Sequence, residues 1–258
     1  MELNQYRIFT ERLTITLKSD PRVIGLIALG SMAEVGRTPD VCSDHDFFVI
    51  TVPSVQESFR TDLTWLPDAD QIVLTIRETA HGLKVLYRHP HLIEFAIFDA
   101  EEIRIARAND YRVLLDKADV AVRMDQISVP REKPVLVDVL HEVNMVISLC
   151  FVAAGRYARG EQMSATVFLK TYALSHLLRA LTAVVEAEGK IRLDNLDPFR
   201  RFEQVFPEIG TAINAALLLP IRQCALEWLR LIKIYIAPRM SNFANQASEV
   251  VQQYILAL

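Results

Sequence analysis

Two different spacings of apolar residues divide the chain. From Arg22 to Val122, short apolar runs broken by turn residues read as strands: Val23–Leu29, Asp46–Val52, Gln71–Arg77, Leu83–Arg88, His91–Phe98 and Tyr111–Leu115. Helical spacing is interposed at about 2–18, 54–65 and 99–108. Strands and helices that alternate this irregularly predict a mixed sheet, not a regular parallel array.

The strand pattern stops at Val129-Pro130-Arg131-Glu132-Lys133-Pro134, where two prolines bracket a polar stretch. This predicts a boundary, with one domain over 1–129 and a second over 130–258. In the second, Leu136, Leu140, Val143, Ile147, Cys150/Phe151 and Ala154 form one helical stripe. Met163, Val167, Lys170, Leu174, Leu177, Leu181 and Val184 form another. Further helices are expected over 208–218, 221–236 and 241–257, with Pro207, Pro220 and Pro238 marking their ends. The predicted class is α+β: a mixed-sheet domain followed by an all-α helical bundle.

Composition narrows the picture. The 258 residues are 51% hydrophobic, enough to bury a large core and to exclude disorder. Three dispersed cysteines, Cys42, Cys150 and Cys224, suggest neither a disulfide framework nor a zinc knuckle. The opening Met1-Glu2-Leu3-Asn4-Gln5 lacks the basic and apolar regions of a secretion signal. No uninterrupted apolar run reaches the roughly 18 residues of a membrane span. A cytoplasmic protein without a membrane partner is expected. Residues 1–129 hold 14 Lys+Arg against 20 Asp+Glu, a net of −6, whereas 130–258 hold 14 against 12, a net of +2. An acidic first half is unsuited to nucleic acid, but it can supply carboxylates to metal ions.

One stretch carries the chemistry. Gly25-Leu26-Ile27-Ala28-Leu29-Gly30-Ser31 reads as a buried strand ending in a Gly-Ser turn, with a short helix expected at Met32–Val35. Gly30 lets a phosphate approach the backbone, and the Ser31 hydroxyl can hydrogen-bond it. After twelve intervening residues comes Asp44-His45-Asp46-Phe47-Phe48-Val49-Ile50. Residues i and i+2 of a strand face the same way, so Asp44 and Asp46 can converge on one cation while His45 points to the other face. The pair reads equally as a strand-start cap. Glu94 is the only acid inside His91–Phe98, so it reads either as a metal ligand or as a paired buried group.

In this order and at this spacing, these elements resemble the nucleotidyltransferase superfamily related to DNA polymerase beta. Its signature is a Gly-Ser turn, roughly ten residues, an Asp-apolar-Asp/Glu strand, and a third carboxylate on a later strand. His45 stands where the family usually has an aliphatic residue, and Glu94 where Asp is commoner. With a helical second half, the layout is similar to the small-molecule nucleotidyltransferases that modify aminoglycoside or lincosamide antibiotics. The segment Ala154-Gly155-Arg156-Tyr157-Ala158-Arg159-Gly160-Glu161 is similar to that group too.

The resemblance implies a magnesium-dependent enzyme that transfers a nucleoside monophosphate, AMP from ATP, to a hydroxyl of a small acceptor and releases pyrophosphate. It implies that Asp44, Asp46 and Glu94 hold Mg2+ and that Gly30 and Ser31 cradle the triphosphate. The acceptor is expected between the domains. Glu142, beside the apolar stripe of the first bundle helix, is a candidate general base or an ordinary surface acid. Lys170 interrupts its own stripe, either snorkelling to solvent or reaching the triphosphate. Arg37, in the loop before Asp44, is a further candidate phosphate contact, as are Arg156 and Arg159 unless they only satisfy a helix end. His81, His89 and His91 are expected in turn or surface roles, and Cys42 carries no sign of a nucleophile. A homodimer is compatible with this layout. The alternative function is a protein adenylyltransferase or a toxin–antitoxin-type regulator.

Overall fold

The computed structural model describes residues 2–35, 38–128 and 136–258. The chain divides into two compact units, Met1–Pro130 and Arg131–Leu258. The predicted boundary stretch, 129–134, lies outside the described residues.

The first unit begins with helix α1 (Leu3–Ser19), which buries Tyr6, Phe9, Leu13 and Leu17 at three- and four-residue intervals, a single helical stripe. Strands β1 (Val23–Leu29) and β2 (His45–Thr51) follow, then the short helix α2 (Gln56–Thr61). Strands β3 (Ile72–Arg77), β4 (Gly82–Tyr87), β5 (Leu92–Asp99) and β6 (Tyr111–Asp116) and helix α3 (Val120–Ile127) complete it. All six predicted strands are present. The six-stranded sheet has the order β3-β4-β5-β2-β1-β6. β2 and β5 run parallel and the other neighbours antiparallel, so the sheet is mixed.

Alternation sorts the side chains onto two faces. One face presents Leu26, Ala28, Phe47, Val49, Val85, Ile93 and Phe95 to the apolar stripe of α1. The other places Ile27, Leu29, Ile50 and Phe98 against Val120, Met124 and Ile127 of α3. Gly25 makes room for that helix, since a Cβ there would lie 2.7 Å from a Val120 methyl. Three helical expectations change in this unit. Met32–Val35 is a turn, the 99–108 helix shrinks to a 3-10 turn at Glu102–Ile105, and α3 was not foreseen. The short stretch after Ser31 therefore provides no helix N-terminus to an anion.

The second unit is helical: α4 (Val139–Ala158), α5 (Gln162–Val167), α6 (Leu174–Val184), α7 (Phe202–Val205), α8 (Pro207–Leu217), α9 (Ile221–Leu231) and α10 (Asn245–Ala257). α4 is long and apolar enough in composition to cross a membrane, but Val143, Val146, Ile147, Cys150 and Ala153 pack in the core of this unit. The second predicted stripe is only half right. Met163 is 87% exposed and Val167 43%, while Ala165, Leu169 and Ala173 are buried. A π-helical segment at Phe168–Ala173 joins α5 to α6. Its wider turn rotates the residues before it relative to the α-helical face that continues through Leu177 and Leu181. A second π segment, Ile232–Ile236, extends α9. The α+β class expected from the sequence is the class the structure has.

Candidate active site

In the parallel β2–β5 pair, Asp46 stands directly beside Glu94, and in the antiparallel β4–β5 pair Glu94 stands opposite Lys84. Lys84, Glu94 and Asp46 therefore make one polar row across three adjacent strands. The row lies on the face whose next positions are Phe48 and Ala96. Asp46 and Glu94 are both half-buried. Glu94 is not an unpaired buried acid: its Oε1 lies 3.2 Å from Lys84 Nζ, and that ammonium is also 3.0 Å from Glu78 Oε1. Hydrogen bonds that the ammonium donates to Glu78 and Glu94 raise the Lys84 pKa, so the amine is firmly charged.

Asp44 lies just before β2, with its backbone fixed by two hydroxyls. The Tyr6 phenol donates to the Asp44 carbonyl at 2.9 Å, and Ser31 Oγ donates to the same oxygen at 3.4 Å. Ser31 is buried, at 4% exposure, so its hydroxyl serves the Gly-Ser turn's contact with Asp44. Gly30, at φ +50°, takes the left-handed conformation that the turn needs. The Gly30–Ser31 turn and the start of β2 are thus held together at one carbonyl.

Among the described residues, no three His, Cys, Asp or Glu side chains are gathered around one point. The oxygen chemistry of Asp44, Asp46 and Glu94 suits a hard divalent cation, and the register makes two of them neighbours. Glu94, however, is paired with Lys84. That pair is about one-third exposed on each side, so solvent screens it. As they stand, the three carboxylates supply suitable oxygen donors but are not gathered around one point.

Behind this strand, on the α1 face, lies a buried network that the sequence reading missed. His45 faces away from its flanking aspartates, as expected. Its Nδ1 is 2.7 Å from His91 Nε2 and its Nε2 is 2.9 Å from Thr10 Oγ1. The Thr10 hydroxyl donates to the Tyr6 carbonyl, so it must accept from His45 Nε2–H. His45 Nδ1 then accepts from His91 Nε2–H. This order leaves His91 Nδ1 as a bare lone pair, and that atom is buried without a hydrogen-bond partner. His91 is 3% exposed, which corrects its expected turn or surface role. Tyr6 stacked on His45 at 3.7 Å, with Phe9 tilted against His45 and edge-on to His91, completes the enclosure. Burial drives the His45 pKa down to about 3 and that of His91 to about 4, so both rings are neutral.

The remaining candidates belong elsewhere. Arg37 lies outside the described residues. In the second unit, Glu142 on α4 is only 14% exposed, so it is not an ordinary surface acid. His176 Nδ1 on α6 donates to Glu142 Oε2 at 2.6 Å, and Arg179 approaches the same oxygen at 3.7 Å. Lys170 is committed to a capping role: Nζ donates to the carbonyls of Leu217 and Leu219, at 2.6 and 2.8 Å, closing the C-terminal end of α8. Arg156 stacks over Phe168 at 3.8 Å and bonds Ser164, while Arg159 pairs with Glu161. Lys84, His91 and His176 each depend on which strands or helices become neighbours. Their positions in the sequence give no signal of it.

A mixed sheet with a carboxylate pair on adjacent parallel strands, beside a Gly-Ser turn, and a separate helical unit define the protein's architecture. No protein-family model matches the chain, and no curated protein matches it in sequence. Among solved structures it is similar to an aminoglycoside 6-adenyltransferase from Bacillus subtilis, with 13% identity, a TM-score of 0.40 and 96% of each chain covered. It is also similar to a STING-associated CdnE c-di-GMP synthase from Capnocytophaga granulosa, with 13% identity and a TM-score of 0.30, over 99% of this chain and 79% of the other.

Proposed function

We propose that the protein is a nucleotidyltransferase that moves AMP from ATP to a hydroxyl of a small acceptor, using a divalent cation such as Mg2+. The observation that carries this reading is the register of β2 and β5, which makes Asp46 and Glu94 neighbours on one face. Asp44 stands two residues before Asp46, and Ser31 ties the Gly30 turn to it. Like charges side by side on adjacent strands repel unless a cation joins them, and here the Lys84 ammonium meets one of the two.

In the transfer, the acceptor oxygen bonds to the α-phosphorus, the bond from that phosphorus to the bridging oxygen breaks, and pyrophosphate leaves with the electron pair. The hydroxyl proton passes to water or to a carboxylate acting as base. Asp44, Asp46 and Glu94 would hold the cation, which neutralises phosphate charge and lowers the acceptor hydroxyl's pKa. Gly30 gives the triphosphate a close approach to the backbone.

The test is a screen of nucleoside triphosphates against hydroxyl compounds, in the presence of magnesium, with products read by mass spectrometry. A nucleotidylated small molecule formed by wild-type protein supports the reading. Nucleotide found only on co-purified proteins would replace the small acceptor with a protein one. No nucleotidyl product of either kind would overturn it.

A further inference from the structure

The helical unit contains two π segments, and each carries a lysine. Such segments are rare in helices and are frequent at functional sites. Lys170, in the first, is fully used, donating to the carbonyls of Leu217 and Leu219. Lys233, in the second, differs: among the described residues its ammonium has neither an ion pair nor a hydrogen bond. It lines a cavity of about 250 Å3 between the π extension of α9 and the start of α10.

We propose that this cavity binds a small organic anion, a phosphate or carboxylate whose charge meets Lys233 and Arg230 while its body rests on Leu226, Leu229 and Phe243. The site lies wholly within the second unit and does not depend on nucleotidyl transfer. Its walls hold two cations, Arg230 and Lys233, against one acid, Glu249. Arg230 is already oriented, since its Nε donates to Glu227 Oε2 at 2.6 Å. The start of α10 adds donors. Ala244 at its N-cap offers no side-chain cap, and its first turn holds no acid. Alone, that helix end is an ordinary solvated terminus. Here Asn245 and Ser248 line the cavity with the two cations, so N–H groups without helical partners and positive side chains share one space. The floor is apolar: Leu229 is buried, and Leu226 and Phe243 are half-buried. A bare ion leaves that surface unused, whereas an anion with an apolar body covers it. The volume admits one small molecule and not a folded partner.

Phenyl phosphate and benzoate are the probes, each joining an anionic head to a flat apolar ring. Binding is read on the full chain by titration calorimetry, and its place by backbone amide chemical shifts. At least one probe is expected to bind with a Kd at or below about 1 mM. The tighter of the two identifies phosphate or carboxylate as the head that the site takes. Lys233→Gln should weaken that binding by at least about fivefold, the scale of one charge-assisted hydrogen bond. Inorganic phosphate, with no apolar body, should bind at least about fivefold more weakly than phenyl phosphate. Lys190→Met, which removes a lysine already held by Glu186, measures net charge alone and should change affinity by less than about twofold.

No binding of either probe at about 10 mM overturns the proposal. So does an unchanged affinity in Lys233→Gln, a loss matched by Lys190→Met, or inorganic phosphate bound as tightly as phenyl phosphate. Amide shifts confined to residues outside α9 and α10 overturn it as well.

Discussion

Two neutral histidines buried back to back behind an acidic strand end have a measurable consequence. Both have folded pKa values below the ordinary 6.5, about 3 for His45 and about 4 for His91. Between those values and 6.5 the unfolded chain takes up protons that the folded chain refuses. Stability is therefore fully present above pH 6.5 and is lost as pH falls toward 4 and then 3. Each histidine contributes a slope of about 1.4 kcal/mol per pH unit in that window. Thermal unfolding followed from pH 7 to pH 5 should show a fall in midpoint that shrinks in His91→Gln, where the lone pair without a donor is replaced by an amide that carries no charge. A midpoint flat over that range in wild type would contradict the neutral, buried assignment. At this scale the sequence was partly legible. Alternation alone turned His45 away from Asp44 and Asp46, because the strand period is two. Nothing in the spacing told that His91, forty-six positions later, would be its partner, since that follows from the pairing of β2 with β5.

Among elements, strands were easier to read than the helices between them. A strand here is a run of apolar residues with sharp polar ends, and all six were visible as such. The interposed helices are short, and α3 presents only Val120, Met124 and Ile127 to the sheet, too brief a stripe to separate from a loop. The long helical stripe that includes Lys170 misled for another reason. A π segment breaks the 3.6-residue period there, and no periodic template contains one. Lys170 sits inside that segment and reaches the end of α8. Lys170→Met should therefore destabilise the protein by about 2–4 kcal/mol, through two lost charge-assisted hydrogen bonds and two carbonyls left without their donor. Chemical denaturation would measure it. A change below about 0.5 kcal/mol would show the contact to be incidental. Gly25→Ala tests the other packing contact: with a Cβ 2.7 Å from Val120, the helix must shift, and a loss of about 1–3 kcal/mol is expected from the same measurement.

For the whole molecule, the division of charge and of apolar spacing points to one acidic, sheet-containing unit and one helical unit, and the structure has both. Asp44 and Asp46 stood out because they are two residues apart where a strand begins. The third was legible because an acid in an apolar strand demands a partner. Its immediate partner, Lys84, was not legible, because it belongs to a strand whose neighbour is known only once the sheet is formed.

Under the proposed function Asp46, beside Glu94 on the sheet, belongs to a nucleotidyl-transfer centre. The most direct measurement is pyrophosphate release from ATP and Mg2+, with an acceptor found in the screen, by wild type and by Asp46→Asn. The substitution changes charge and almost nothing in volume, so the fold should survive, as circular dichroism can check. A fall in rate of at least about a hundredfold is predicted, the scale on which loss of an electrostatic contributor acts in a transfer centre. A folded Asp46→Asn protein that releases pyrophosphate at the wild-type rate would contradict the account.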